Sequence, residues 1–109
     1  MYYVYSVIVL AILTFSNFNA AAITVQLETG SLRGETLDGI NIFRGIPFAA
    51  APTGDLRWRN PQSHPGWEGV RDATKFGKIC PQNDGLVALT GGSLPETSED
   101  CLFLNIWSP

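Results

Sequence analysis

The sequence predicts a β-rich and incomplete domain: a small antiparallel meander, a proline-rich irregular segment, a loop closed by two cysteines, and a last strand made for a larger sheet. Three observations carry this. Apolar and polar residues alternate from Ile23 to Arg44, the signature of half-buried strands. Pro47, Pro52, Pro61 and Pro65 then exclude a regular helix or a central strand through most of the next twenty residues. Finally, Leu102, Leu104 and Ile106 alternate with Phe103, Asn105 and Trp107, apolar on one parity and largely aromatic on the other. That pattern predicts a strand covered on both faces, inside a sheet larger than this chain can build.

The elements follow in order. Ile23, Val25 and Leu27 face one side of a first strand, and Thr29-Gly30 turns the chain into a second over Ser31–Thr36. Asp38-Gly39 is a two-residue hairpin signal leading to a third strand, Ile40–Arg44. Between Gly45 and Pro65, Phe48, Leu56 and Trp58 are large apolar anchors on an irregular, proline-braced segment, which predicts packing against a body. Trp67–Val70 reads as a short extended piece, and Ala73–Lys78 as a turn of helix or an irregular link. From Pro81 to Glu99 the chain is polar and glycine-containing, an Ω-type loop of the kind that lines binding sites. No amphipathic helix is evident to cover the strands, so residues 23–109 are not expected to fold alone.

Residues 1–22 carry no charge, and Tyr3–Phe15 is almost unbroken apolar sequence before a polar break and Ala20-Ala21-Ala22. This predicts a secretory signal peptide cleaved after Ala22. The run is shorter than the roughly 20 residues of a membrane span. The net charge of −3, with lysine and arginine scattered, argues against nucleic acid and against an anionic membrane surface as partners. Cys80 and Cys101 are the only cysteines, and an even pair in a secreted chain predicts a disulfide. In the chain-entropy view, closing a loop of about 20 residues contributes roughly 3 kcal/mol. With one histidine and two cysteines, no zinc site is expected.

Candidate chemistry is sparse. His64, the only histidine, lies in a Ser-His-Pro-Gly turn, and no serine sits in a G-x-S-x-G elbow. Glu99 and Asp100 are adjacent in an extended segment and point apart, so they form no triad with Ser98. They are better read as ion-pair partners: Arg57 and Arg59 flank Trp58 on one face, and either can meet Glu99. Thr90-Gly91-Gly92 lacks the histidine and the strand that lead into a glycine-rich oxyanion segment.

Three ordered blocks resemble the type-B carboxylesterase and cholinesterase family of α/β-hydrolases. They are Phe43-Arg44-Gly45-Ile46-Pro47-Phe48-Ala49 with Leu56-Arg57-Trp58 and Pro61; Trp67-Glu68-Gly69-Val70-Arg71-Asp72-Ala73-Thr74 with Phe76-Gly77 and Cys80-Pro81-Gln82; and Glu99-Asp100-Cys101-Leu102-Phe103-Leu104-Asn105-Ile106-Trp107. The resemblance implies an α/β fold, of which residues 23–109 would be the N-terminal portion, truncated after the first strand of the main sheet. It implies a Cys80–Cys101 disulfide closing a loop near the active-site mouth, braced by an Arg57–Glu99 ion pair. It further implies a secreted serine esterase acting on a small carboxylic ester without a cofactor, its catalytic residues all downstream of Pro109. The family also includes inactive adhesion proteins, and a small secreted disulfide-linked module is a third class. Pro81–Asp100 contains no aromatic residue, unlike the cholinesterase branch, which points to a general carboxylic ester.

Overall fold

A computed structural model of the chain describes residues 20–109. The predicted leader therefore lies outside the described residues, apart from Ala20–Ala22. The alternating segment forms three antiparallel strands, β1 (Ala21–Leu27), β2 (Gly30–Leu37) and β3 (Ile40–Pro47). Ala21 and Ala22, the last residues of the predicted leader, pair in β1 with Thr36 and Glu35. The β1–β2 turn uses Glu28-Thr29, with Gly30 already paired to Leu27, one residue earlier than expected. Asp38 and Gly39 both adopt positive φ, 50° and 79°, the geometry that matches hairpin twist.

Two further strands complete the sheet. β4 (Val70–Asp72) lies parallel to the first half of β2, with Leu32 opposite Arg71. β5 (Phe103–Ser108) lies antiparallel to β3, giving the order β1-β2-β3-β5 with β4 beside β2. β2 thus shares one edge between β4, along Ser31–Arg33, and β3, along Glu35–Leu37. Ala73 sits at that branch point, fully buried: its N–H donates to the Arg33 carbonyl at 2.8 Å and its carbonyl accepts from Arg44 N–H at 2.7 Å.

The core is thin. Leu32, Phe43, Ile46 and Ala73 form its centre, with Ile23, Val25 and Trp67 packed against them. β5 departs from the two-sided burial its pattern predicts: Leu104, Ile106 and Trp107 are 38%, 45% and 52% exposed, because the described residues cover them only in part. The proline-rich stretch contains only a 3₁₀ turn, Gly54–Leu56. Ala73–Lys78 is an irregular link. The long loop is not wholly irregular, since Gly85–Leu89 forms one helical turn, α1. Among the described residues no helix is long and apolar enough to cross a membrane.

Candidate functional site: a clamped loop beside the last strand

The loop grows from a neck built on both sides of β5's entry. Cys80 and Cys101 are joined, S–S 2.04 Å, with their Cα atoms 5.0 Å apart. One residue back, Ile79 bridges Thr97 in parallel: Ser98 N–H donates to the Ile79 carbonyl at 2.9 Å, and Ile79 N–H to the Glu96 carbonyl at 3.3 Å. Lys78 Nζ lies 2.6 Å from Glu96 Oε1 on the same side. The Glu96 carboxylate raises the Lys78 pKa, chiefly through that hydrogen bond and then through its charge. On the far side Arg57 Nη2 stands 2.8 Å from Glu99 Oε1. Both ion pairs are about half exposed or more, so water screens each of them and neither is a main support of the neck. Backbone and disulfide, rather than charge, hold the neck.

Arg57 and Arg59 do not share a face of an extended segment. Trp58 has φ +62°, which turns the chain between them. Arg57 reaches Glu99, whereas Arg59 Nε folds back onto the Asp55 carbonyl at 2.8 Å. The left-handed turn at a tryptophan carries no sequence signal.

A second construction joins two of the sequence blocks. β3 bulges between Phe43 and Ile46, where its register with β5 shifts. Gly45 adopts φ +64° there, and a Cβ at that position would lie 2.7 Å from the Lys75 carbonyl oxygen, so only glycine fits. The freed Gly45 N–H donates to Asn105 Oδ1 at 2.9 Å. Arg44, beside it, pairs with Glu35, donates to the Thr74 carbonyl at 2.9 Å, and lies against the Phe76 and Trp107 rings, 5.3 and 6.0 Å from their centroids. Neither the Glu35–Arg44 nor the Lys78–Glu96 pair was visible in the sequence, since each joins residues whose proximity depends on tertiary packing. Asp72 is held below its ordinary pKa, first by the Thr74 hydroxyl and then by the Thr74 N–H.

None of this is a catalytic centre. His64 Nδ1 accepts the Gly66 N–H at 3.0 Å, and its ring meets the edge of Trp67 at 5.6 Å, so the residue closes its own turn. Asp100 N–H donates to Ser98 Oγ at 3.1 Å, a local turn bond. Among the described residues, no group of three or more His, Cys, Asp or Glu side chains is placed to hold a metal. What the arrangement offers is a rigid frame carrying a loop, with a cavity of about 520 Å³ between the neck and β5, lined in part by Phe76, Cys80, Gln82, Pro95, Phe103 and Asn105.

The comparisons with known proteins agree with this geometry. The chain is 41% identical to the para-nitrobenzyl esterase of Bacillus subtilis over 78% of its length, a stretch that makes up 17% of that protein. It superposes on the solved structure of a PNB esterase with a TM-score of 0.73 and 40% identity, covering 79% of this chain and 18% of the other. It is also 31% identical to mouse neuroligin-3 over 92% of its length, 15% of that protein. The chain thus spans about one-sixth of the length of the curated relatives it matches. A profile described as "Carboxylesterase family" matches residues 21–109, and with it the chain belongs to the carboxylesterase family of α/β-hydrolases.

Proposed function

We propose that the intact polypeptide is a carboxylic ester hydrolase. A serine is acylated with histidine as base and an acid behind it, and backbone N–H groups receive the oxyanion. Those groups lie outside Met1–Pro109, so this chain is catalytically silent by itself. Its contribution is structural: the N-terminal strands and the loop closed by Cys80–Cys101, whose rim the Arg57–Glu99 pair steadies. The observation that carries the reading is the 41% identity to an esterase over 78% of the chain. The absence of an aromatic side chain in Pro81–Asp100 favours a general carboxylic ester over a choline ester. Residues 1–22 serve as a cleaved secretory leader ahead of the hydrolase portion at 23–109. The disulfide suits an extracellular destination. Small esters, and not nucleic acid, are the partners, in keeping with the net charge of −3.

The test is to express the complete reading frame and assay p-nitrophenyl ester hydrolysis alongside labelling by a serine-directed fluorophosphonate. Turnover and labelling that both vanish on replacing the elbow serine with alanine support the reading. The neuroligin-3 match favours one second reading, an inactive binding protein. A frame without an elbow serine, neither turning over nor labelled, selects that alternative.

A further inference from the structure

β1 is an edge strand without the usual safeguards. Among the described residues it pairs with β2 alone, so its other edge carries no partner. Natural edges are blunted by charge, proline or a bulge. Ala21–Leu27 has neither charge nor proline, and its register with β2 runs unbroken. Leu27 and Gly30 close the two-residue turn, so Ile23, Val25 and Leu27 exchange their backbone bonds with β2. The N–H and C=O groups of Thr24 and Gln26, both exposed residues, therefore point away from β2. Ile23-Thr24-Val25-Gln26-Leu27 also reads alike in both directions: apolar, polar, valine, polar, apolar. The outward-pointing groups stand symmetrically on either side of Val25.

We propose that the outer edge of β1 is a dimer interface, on which a second copy of the chain lays its own β1 antiparallel about a two-fold axis through Val25. Val25 then faces its counterpart as a non-hydrogen-bonded pair, and Thr24 of each copy exchanges backbone bonds with Gln26 of the other. Ile23 comes opposite Leu27. Ile23 and Val25 pack on the thin core, and Leu27, of the same parity, is 39% exposed. The pairing therefore continues the apolar face across the axis and covers a bare leucine. Charge is compatible with it. Glu28, the first charged residue of the sequence, comes opposite Ala22 of the second copy, or beside its Ile23 α-ammonium once the leader is removed as proposed above. The strand pairing itself does not depend on that removal. The self-matching order of the strand selects a second copy over a foreign peptide. The edge is short, so the dimer is a weak one. Such pairing is independent of ester hydrolysis.

The experiment is sedimentation of the protein made from the complete reading frame, at concentrations from about 1 to 100 µM. The weight-average mass is expected to rise towards twice that of the monomer and stop there, because pairing uses up the β1 edge. Two double variants then read the register. Thr24→Glu with Gln26→Glu sets like charges opposite one another and is expected to weaken the dimer roughly tenfold. Thr24→Glu with Gln26→Lys sets opposite charges there and is expected to leave it at least as tight. Both carry the same change opposite Arg33 of β2, and a urea midpoint for each checks that the fold is kept. A monomer throughout the concentration range overturns the proposal, and so does growth beyond two chains. Equal affinity in the two variants, or a dimer lost equally in both, overturns the pairing about Val25. A protein without esterase activity that still dimerises and separates the two variants supports the interface and removes only the hydrolase reading.

Discussion

At the bulge in β3, one carboxamide meets one amide: Asn105 Oδ1 accepts the Gly45 N–H at 2.9 Å. The bond exists because Gly45, at φ +64°, turns its N–H out of the regular ladder. Asn105→Ala leaves that part-buried donor without its partner, at an expected cost of about 1–3 kcal/mol. In the intact protein this should appear as a lower urea midpoint with the slope unchanged. Gly45→Ala should cost more, because it adds left-handed strain to a clash with the Lys75 carbonyl. A midpoint that Asn105→Ala does not move would mean that water replaces the carboxamide. The sequence displayed both residues inside recognisable blocks but not the bond between them, which depends on a register shift 60 residues away in the chain.

Elements differed in how openly the sequence announced them. β1, β2 and β3 were legible because alternation and the Asp38-Gly39 turn are local signals. β4 was legible only as an extended piece; its parallel partnership with β2 depends on Ala73 bonding both Arg33 and Arg44, a tertiary fact. α1 was missed because a single turn, Gly85–Leu89, has no side-chain cap and no apolar periodicity to betray it. The neck was legible at its cysteines and not at its backbone bridge. That bridge makes a prediction. Replacing Cys80 and Cys101 by serine should lower stability by about 3 kcal/mol. Yet the Ser98 amide, bonded to the Ile79 carbonyl, should still exchange more slowly than loop amides such as Leu86. Equal exchange at the two sites would show that the disulfide alone holds the neck.

For the whole molecule, the balance of apolar surface decides the behaviour. Among the described residues six hydrophobic ones are buried, whereas eleven large ones are exposed, among them Phe48, Trp58, Phe76, Ile106 and Trp107. A polypeptide spanning residues 20–109 alone is therefore expected to melt without a cooperative heat-absorption peak and to bind ANS at room temperature. A sharp calorimetric transition would overturn this. The sequence foretold the shortage from its lack of an amphipathic helix, though not which side chains would be left bare. The Gly45–Asn105 bond also has a consequence in time. It separates its partners by 60 residues, so at about 5–20 residues per second the ribosome needs roughly 3–12 s to deliver β5 after β3 has emerged. For those seconds the outer edge of β3 is a vacancy that a holdase or a neighbouring nascent chain can occupy. Slow codons between Pro47 and Asn105 lengthen that wait, which gives synonymous changes in the gene a physical route to the yield of folded protein.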